Sequence, residues 1–186
     1  ASADIYAFTG HKWACGPEGL GGVALSQRVL SEASPTLIGW RGLKHEGIAF
    51  DNKPNPFHSD GRRFEVATSC IPLFAGLRNS LKLFASEGTQ TERFKIIRKL
   101  SFNLWKELNA MKGIEPILQG QPPSGIVSFT YSNNIKSIDV VKSLGKKSIW
   151  IRNLEDPDCL RACVHMMTEF KEIEGFFTTM PKLTHK

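Results

Sequence analysis

The sequence predicts an α/β protein in which strands and helices alternate along the chain. Short runs of β-branched and aromatic residues, such as residues 4–8 (DIYAF), indicate strands. Residues 90–111 carry an apolar residue every three or four positions, which indicates an amphipathic helix. With 186 residues, 41% of them hydrophobic, the chain can form one sizeable core, or one small domain together with part of another.

The first third of the chain predicts a strand, a turn and a second strand. Residues 4–8 are expected to form a short buried strand and residues 22–25 a second one, with Lys12 at the tip of the glycine-rich turn between them. Residues 39–62 have no sustained period and contain prolines and several glycines, so they predict a long irregular loop. Residues 63–68 indicate an extended segment.

The middle of the chain predicts two consecutive helices. The first is expected to begin near Pro72 and to bury a stripe of apolar side chains, namely Leu73, Leu77, Leu81 and Phe84. The second covers residues 90–111 and ends at Gly113. A domain boundary is expected here, dividing the chain into residues 1–90 and 91–186.

The last third predicts an α+β arrangement. Strands are expected at residues 125–131, 149–154 and 159–166, and a helix at residues 135–144. A final helix is expected to begin at Thr168, which serves as its N-cap with Glu169 in the first turn. The apolar side chains that this helix should bury are Phe170, Ile173 and Phe177.

Charge and composition narrow the classes of partner. The net charge is +6, and the lysines and arginines are spread along the chain without a zinc-finger, RNP or basic-arm pattern. We therefore expect no nucleic-acid partner, whereas anionic small molecules suit this charge. No apolar run approaches the length of a membrane span and no signal peptide is present, so no membrane association is expected.

The cysteines favour reduced thiols over a metal site. Cys15, Cys70, Cys159 and Cys163 form no CxxC pair, and the last two lack the further ligands that zinc requires. This usage is typical of a cytoplasmic protein. We expect no bound metal.

Lys12 admits three interpretations from its local sequence. A phosphate-binding P-loop requires the lysine after the second glycine and next to Ser or Thr, but Lys12 precedes GPEGLGG and is followed by Trp13, which excludes that loop. A solvated lysine on a hairpin and a Schiff-base lysine with a nucleophilic amine both remain open. The hairpin sequence alone favours the solvated lysine.

Three segments resemble one enzyme family. TGHKWACGPEGLGG (residues 9–22) resembles the cofactor-lysine segment of class V pyridoxal-phosphate enzymes. RRFEVATS (residues 62–69) and CLRACVHMMTEFKEIE (residues 159–174) resemble two later segments of that family, in the same order. Within the family the chain is most similar to the cysteine/cystine C–S lyases, which share a segment of the type IWIRNLEDPDC (residues 149–159) around Arg152. The chain resembles only the C-terminal half of such an enzyme.

The resemblance implies a fold and a division into domains. It implies the C-terminal part of the type I pyridoxal-phosphate aminotransferase fold, within the α/β class. Residues 1–90 would be the end of the large cofactor-binding domain, and residues 91–186 the small α+β domain with its connecting long helix.

The resemblance also implies roles for individual residues. Lys12 would form the Schiff base with pyridoxal 5'-phosphate and serve as general acid and base. Thr9 and His11 would bind the cofactor phosphate, and Thr68 would reach the phosphate held by a partner subunit, which implies a homodimer with shared active sites. Ala67 stands where much of the family has glycine.

Arg152 and Arg161 would bind the carboxylate of a small amino-acid substrate. A guanidinium group matches a carboxylate through two parallel hydrogen bonds. Without the family motif, each arginine would be interpreted as half of an ordinary ion pair. With the motif, we expect both to line the substrate site.

The resemblance leaves the reaction open among related chemistries. A cysteine desulfurase needs a cysteine nucleophile on a mobile loop, whereas Cys159 belongs to a predicted strand seven residues after Arg152. This favours β-elimination, in which cysteine or cystine yields sulfide or persulfide, pyruvate and ammonia. An aminotransferase, an epimerase and an inactive domain lacking the N-terminal half are the alternatives.

Overall fold

The computed structural model describes residues 2–44, 56–131 and 135–180. The chain divides into two compact units, Ala1–Ser86 (unit 1) and Glu87–Lys186 (unit 2). The boundary predicted from the sequence lies close by, at residue 90. The assignment of the two parts to a cofactor-binding domain and a small domain stays a prediction.

Unit 1 begins with the predicted strand–turn–strand. β1 (Ile5–Thr9) pairs with β2 (Gly21–Leu25) in antiparallel register, with Ile5 opposite Leu25 and Thr9 opposite Gly21. The prediction of a buried first strand is wrong, because all five residues of β1 are exposed. The sheet has two strands, so no third strand or helix of the described residues covers the faces of β1.

A short helix that the sequence analysis missed follows β2. α1 (Gln27–Glu32) begins after Ser26, whose hydroxyl accepts a hydrogen bond from the backbone N–H of Val29 at 3.2 Å. Its six residues are too few for a helical period to show in the sequence.

Two 3₁₀ turns, Trp40–Gly42 and Gly61–Phe64, lie in the segment predicted as a loop and an extended run. The expectation of extended backbone at Arg63 and Phe64 is wrong, because Asp60 caps the second turn by accepting a hydrogen bond from the N–H of Arg62 at 3.0 Å. Residues 45–55 of the predicted loop lie outside the described residues.

α2 (Ile71–Ser86) begins where the sequence predicts. The expected buried stripe is confirmed at Leu77, which is buried, but Leu81 is exposed. Pro35 and Leu77 are the buried apolar side chains within the described part of unit 1.

Unit 2 begins with the long predicted helix. α3 (Gln90–Ala110) starts at a capping box, in which Glu92 accepts from the N–H of Thr89 at 2.7 Å and Thr89 accepts from the N–H of Glu92 at 3.2 Å. The predicted apolar stripe is confirmed in the second half of the helix, where Leu100, Leu104 and Leu108 are buried. The helix ends before Gly113, which has a φ of +81°.

Four antiparallel strands form the sheet of unit 2, in the order β3–β4–β6–β5. They are β3 (Ile114–Pro116), β4 (Ile126–Tyr131), β5 (Arg152–Glu155) and β6 (Asp158–Cys163). The strands predicted at 125–131, 149–154 and 159–166 are confirmed in type, whereas β3, with three residues, was missed.

Two further helices complete unit 2, α4 (Ser137–Gly145) and α5 (Phe170–Thr179). The predicted cap of α5 is wrong by one residue. Glu169 is the N-cap, and its backbone N–H donates a hydrogen bond to Oε2 of Glu172 at 2.8 Å. Thr168 lies before the helix, where its Oγ1 accepts a hydrogen bond from the N–H of His165 at 2.9 Å. Ile173 is buried as expected, but Phe170 is exposed and Phe176 is buried instead.

The core of unit 2 lies between its sheet and its helices. Buried side chains come from α3, β3, β4, α4, β6 and α5, with Phe129 of β4 and Leu108 of α3 fully enclosed. Phe129 meets Phe176 edge to face, with ring centroids 6.4 Å apart. Unit 2 therefore has a hydrophobic core of its own.

Replacing Phe129 with alanine should destabilise unit 2 by about 3–5 kcal/mol, because the change removes a fully buried ring and leaves a cavity. Urea unfolding monitored by circular dichroism measures this change. Phe170→Ala is the matched control, since Phe170 is 51% exposed, and it should change stability by less than about 1 kcal/mol. Equal losses in the two variants would contradict this placement of the core.

No helix among the described residues is long and apolar enough to cross a membrane. Within the same ranges, no group of three or more His, Cys, Asp and Glu residues is arranged to hold a metal ion.

Candidate active site

Lys12 lies in the turn that joins β1 to β2, with an exposed side chain. Thr9 is the last residue of β1 and His11 directly precedes the lysine, so the hairpin brings these three side chains to one end of the sheet. The carbonyl of Lys12 accepts a hydrogen bond from the N–H of Cys15 at 3.0 Å. That bond closes a tight turn that begins at Lys12.

Glycines close the base of this turn. The N–H of Gly10 donates to the carbonyl of Leu20 at 2.8 Å, and the N–H of Gly16 donates to the carbonyl of Gly10, also at 2.8 Å. A Cβ atom on Gly10 would lie 2.8 Å from the oxygen of Leu20. A side chain there would push the two ends of the turn apart, which explains why glycine is needed.

The turn packs against α2. A Cβ on Gly16 would lie 2.7 Å from Cδ1 of Leu77, and a Cβ on Gly76 would lie 3.0 Å from Cγ of Pro17. The hydroxyl of Ser80 donates a hydrogen bond to the carbonyl of Ala14. The helix therefore supports the segment that carries Lys12 by both packing and hydrogen bonding.

Thr68 is exposed and lies in unit 1 between the 3₁₀ turn Gly61–Phe64 and α2. The turn before it is anchored by Arg63, which is 8% exposed and donates from Nη1 to the carbonyl of Leu30 at 2.5 Å. Its guanidinium carbon lies 5.9 Å and 5.8 Å from the ring centres of Phe57 and Phe64. The sequence analysis did not identify Arg63 as an anchor, because the carbonyl that it bonds, that of Leu30, is 33 residues away in sequence.

The cap of this 3₁₀ turn gives a pH-dependent prediction. Hydrogen bonds from the side chain and backbone of Arg62 lower the pKa of Asp60 from 3.8 to about 2. Because the pKa is lowered by folding, the stabilisation is complete above pH 3.8 and is lost as the pH falls through about 2. Titration of the Asp60 carboxyl carbon by NMR should show the low pKa, and Arg62→Gln should return it towards 3.8. Titration of wild-type Asp60 near 3.8 would contradict the capping arrangement.

Arg152 and Arg161 lie opposite each other on the last two strands at one edge of the unit 2 sheet. They are Cα partners in the β5–β6 ladder, so their side chains project from the same face of the sheet. Ser128 of β4 is the next residue in this row. Arg152 is exposed, and the buried Nε of Arg161 has no hydrogen-bond partner within the described ranges. Adjacent guanidinium groups are the type of donor that matches a carboxylate.

Cys159 lies in β6, two residues before Arg161, and is 1% exposed. Burial raises the pKa of its thiol. Only Asp156 and Pro157 separate β5 from β6. The prediction that Cys159 is a packed strand thiol is confirmed.

The predicted site residues thus form two groups, one in each unit. Thr9, His11 and Lys12 are together on the hairpin of unit 1, with Thr68 elsewhere in that unit, and Arg152 and Arg161 are together in unit 2. Arg63 and Ser80, which sequence reasoning missed, support the segments that carry Thr68 and Lys12.

Residues 1–176 match the aminotransferase class-V family. The chain belongs to this family. It is also 31% identical over 149 residues to a probable cysteine desulfurase from Methanothermobacter thermautotrophicus, a match that covers 76% of the chain and 34% of the relative. The resemblance found in the three sequence segments is therefore confirmed.

Solved structures extend the comparison to the fold. The cystine C–S lyase C-DES in complex with its reaction product cysteine persulfide matches with 38% identity and a TM-score of 0.87. A lysine-to-alanine variant of C-DES, with glycine covalently linked to its pyridoxal-phosphate cofactor, matches with 37% identity and the same TM-score. The cysteine desulfurase CsdA from Escherichia coli, at 23% identity and a TM-score of 0.78, shares the fold.

These matches confirm the predicted fold, that of the class V pyridoxal-phosphate enzymes. The two C-DES structures cover 95% of this chain, whereas the chain spans 45% and 46% of theirs. The chain thus spans about a third of the curated relative and just under half of these solved chains.

Class V aminotransferases use pyridoxal phosphate, and the residues of unit 1 fit that cofactor. The side-chain nitrogen of Lys12 forms no ion pair among the described residues. The Thr9 hydroxyl and the N–H of the His11 ring are hydrogen-bond donors suited to an anionic group.

Proposed function

We propose that this chain supplies the reactive lysine and the carboxylate-binding arginines of a pyridoxal-phosphate-dependent C–S lyase. The reaction is β-elimination from cysteine or cystine, which releases sulfide or persulfide, pyruvate and ammonia. The family match and the likeness to C-DES support this proposal. The observation that carries it is the position of Lys12. Its side chain is exposed on a turn whose base is closed by glycine backbone bonds, within a segment that resembles the family's lysine motif.

In this proposal unit 1 holds the cofactor and moves the proton. The cofactor, when bound, withdraws electrons from the substrate Cα. Lys12 would hold the cofactor through its Nζ and would take the proton from the substrate Cα. Thr9 and His11 donate hydrogen bonds to the cofactor phosphate, and Thr68 does so from the partner subunit of a homodimer.

Unit 2 orients the substrate. Arg161 and Arg152 bind the α-carboxylate through paired N–H donors, which fixes the rotation about the bond from nitrogen to Cα. That rotation determines which bond at Cα is broken. The β-carbon then releases its sulfur as the leaving group.

Cys159 supports elimination over sulfur transfer to the enzyme. A desulfurase requires a thiolate that reaches the substrate sulfur, whereas the Cys159 thiol is buried, has a raised pKa and follows a hairpin of two linking residues. Cysteine desulfurase is nevertheless the second candidate, because the curated relative from Methanothermobacter thermautotrophicus carries that description.

Replacing Cys159 with alanine should therefore leave pyruvate formation within about twofold of wild type, because the thiol takes no part in elimination. Pyruvate and sulfide are measured with cysteine and with cystine as substrates. Cys163→Ala, at an exposed position of the same strand, is the matched control. Loss of turnover in the Cys159 variant, at an unchanged melting temperature, would favour the desulfurase.

The proposal as a whole is tested on the full-length protein. Reconstitution with pyridoxal phosphate should give a visible absorption band, and borohydride should fix the cofactor to Lys12, as mapped by mass spectrometry. A stable adduct on another lysine, or none, would contradict the proposal. The 186-residue chain should give no turnover by itself, and we expect the complete enzyme to work as a cytoplasmic homodimer.

A further inference from the structure

We propose that Ser80 of α2 is a positioning residue for Lys12, acting through the carbonyl of Ala14. The hydroxyl of Ser80 donates a hydrogen bond to that carbonyl, across 66 residues of sequence. Ala14 lies two residues after Lys12, inside the turn closed by the Cys15-to-Lys12 bond. The catalytic meaning of this contact rests on the function proposed for Lys12.

The direction of the Ser80 hydroxyl is unusual for a helical serine. A serine within a helix ordinarily bonds back to a carbonyl of its own helix. Ser86 on the same helix does so, donating to the carbonyl of Leu83 at 2.7 Å, and Thr178 of α5 donates to the carbonyl of Gly175 at 3.0 Å. Ser80 instead leaves its helix to bond the lysine turn. The hydroxyl therefore serves the turn, not α2.

Packing brings the turn close enough for this bond. Leu77 precedes Ser80 by three positions, on the same face of α2, and fills the space beneath Gly10 and Gly16. One position earlier, Gly76 leaves room for the ring of Pro17. The apolar contact sets the distance between helix and turn, and the Ser80 bond sets the rotation of the peptide between Ala14 and Cys15.

That rotation bears on the reactive amine. The turn from Lys12 to Cys15 has two central residues, Trp13 and Ala14, and Cys15 ends it with a φ of 47°. A fixed Ala14 carbonyl limits how the turn can rotate and so limits where the Cα–Cβ bond of Lys12 points. Displacing a catalytic group by about 1 Å can lower a rate about 10²-fold, so a small change in the turn matters.

The first test measures the turn itself, by hydrogen exchange at the amides of Cys15 and Gly16 in the full-length protein. In Ser80→Ala these amides should exchange about three- to tenfold faster, as expected for the loss of one partly buried hydrogen bond. Ser86→Ala is the matched control and should leave both amides unchanged. Ser80→Thr keeps a hydroxyl and should restore protection, and Ser80→Cys, which keeps the volume, should resemble alanine. Unchanged exchange in Ser80→Ala and Ser80→Cys overturns the proposal.

The second test measures Lys12 in the protein loaded with pyridoxal phosphate. Ser80→Ala should shift the pH midpoint of the visible cofactor band and lower kcat about tenfold, with KM for cystine within about twofold. Ser80→Thr should recover both quantities. Wild-type values of the midpoint and of kcat in Ser80→Ala would overturn the positioning role.

The two proposals fail in different ways. If borohydride does not fix the cofactor to Lys12 in the wild type, the proposed function is wrong, and exchange at Cys15 and Gly16 still decides whether Ser80 holds the turn. If Lys12 is labelled normally but Ser80→Ala alters neither exchange nor the pH midpoint, the function stands and the role of Ser80 is wrong.

Discussion

Replacing Lys12 with alanine should lower kcat for pyruvate formation by at least about 10³-fold. General acid–base catalysis contributes about 10²- to 10⁴-fold, and the variant also loses covalent attachment of the cofactor. The Lys12 side chain is exposed, so its removal takes away no buried packing and the fold should persist. Steady-state pyruvate assays, together with borohydride labelling, measure the effect.

The matched control for this change is Lys82→Ala. Lys82 is likewise an exposed lysine of unit 1, on α2, and it should keep wild-type turnover. Partial rescue of Lys12→Ala by added methylamine would show that the missing group is the amine. Turnover above a tenth of the wild-type rate in Lys12→Ala would show that Lys12 takes no part in the chemical step.

Replacing Arg161 with glutamine should lower kcat/KM for cystine by about 10²- to 10³-fold. Loss of one partner from a desolvated charged pair costs about 2–5 kcal/mol, and each 1.4 kcal/mol is a factor of ten. The Nε of Arg161 is buried and has no hydrogen-bond partner among the described residues. The guanidinium group can therefore donate to a bound anion. Arg161→Lys should recover little, because an ammonium group cannot form the paired bonds.

Arg28→Gln is the control for the arginine variants. Arg28 forms exposed ion pairs with Asp4 and Glu32, which contribute little, so kcat/KM should remain unchanged. The dimethyl ester of cystine supplies a second comparison, since wild type should discriminate against it and Arg161→Gln should not. Equal discrimination by both proteins would assign the carboxylate to other residues.

The elements with a strong local signal could be predicted from the sequence. α3 shows the helical period over its whole length, and the glycine-rich turn identifies the β1–β2 hairpin. Their exposure could not be predicted in the same way. β1 and Leu81 are as apolar as buried residues, but a pattern gives the spacing of apolar side chains and not what covers them.

Short strands and the choice between two adjacent N-caps were harder to predict, because a few residues carry too little pattern. β3 has only three residues, too few for an alternating pattern to emerge. Thr168 and Glu169 both suit a helix start, and the capping box between Glu169 and Glu172 determines the outcome.

The candidate site shows the same division. Lys12, Arg152 and Arg161 could be named because a family motif surrounds each of them. Ser80 and Arg63 could not, because their hydrogen bonds reach Ala14 and Leu30 across 66 and 33 residues. Contacts of that range leave no trace in the spacing of a single sequence.

Unit 1 has few buried apolar side chains, since only Pro35 and Leu77 are buried among the described residues. Cofactor binding and the order of this unit are therefore linked. A segment with so little enclosed surface has a small folding free energy of its own. A ligand that binds only the ordered turn raises the free energy of unfolding of unit 1. The increase is about 2.7 kcal/mol at a ligand concentration of 100 times Kd. Pyridoxal phosphate would act on this half of the chain as a folding ligand as well as a reagent, and the melting temperature of unit 1 would rise with its concentration while that of unit 2 would not.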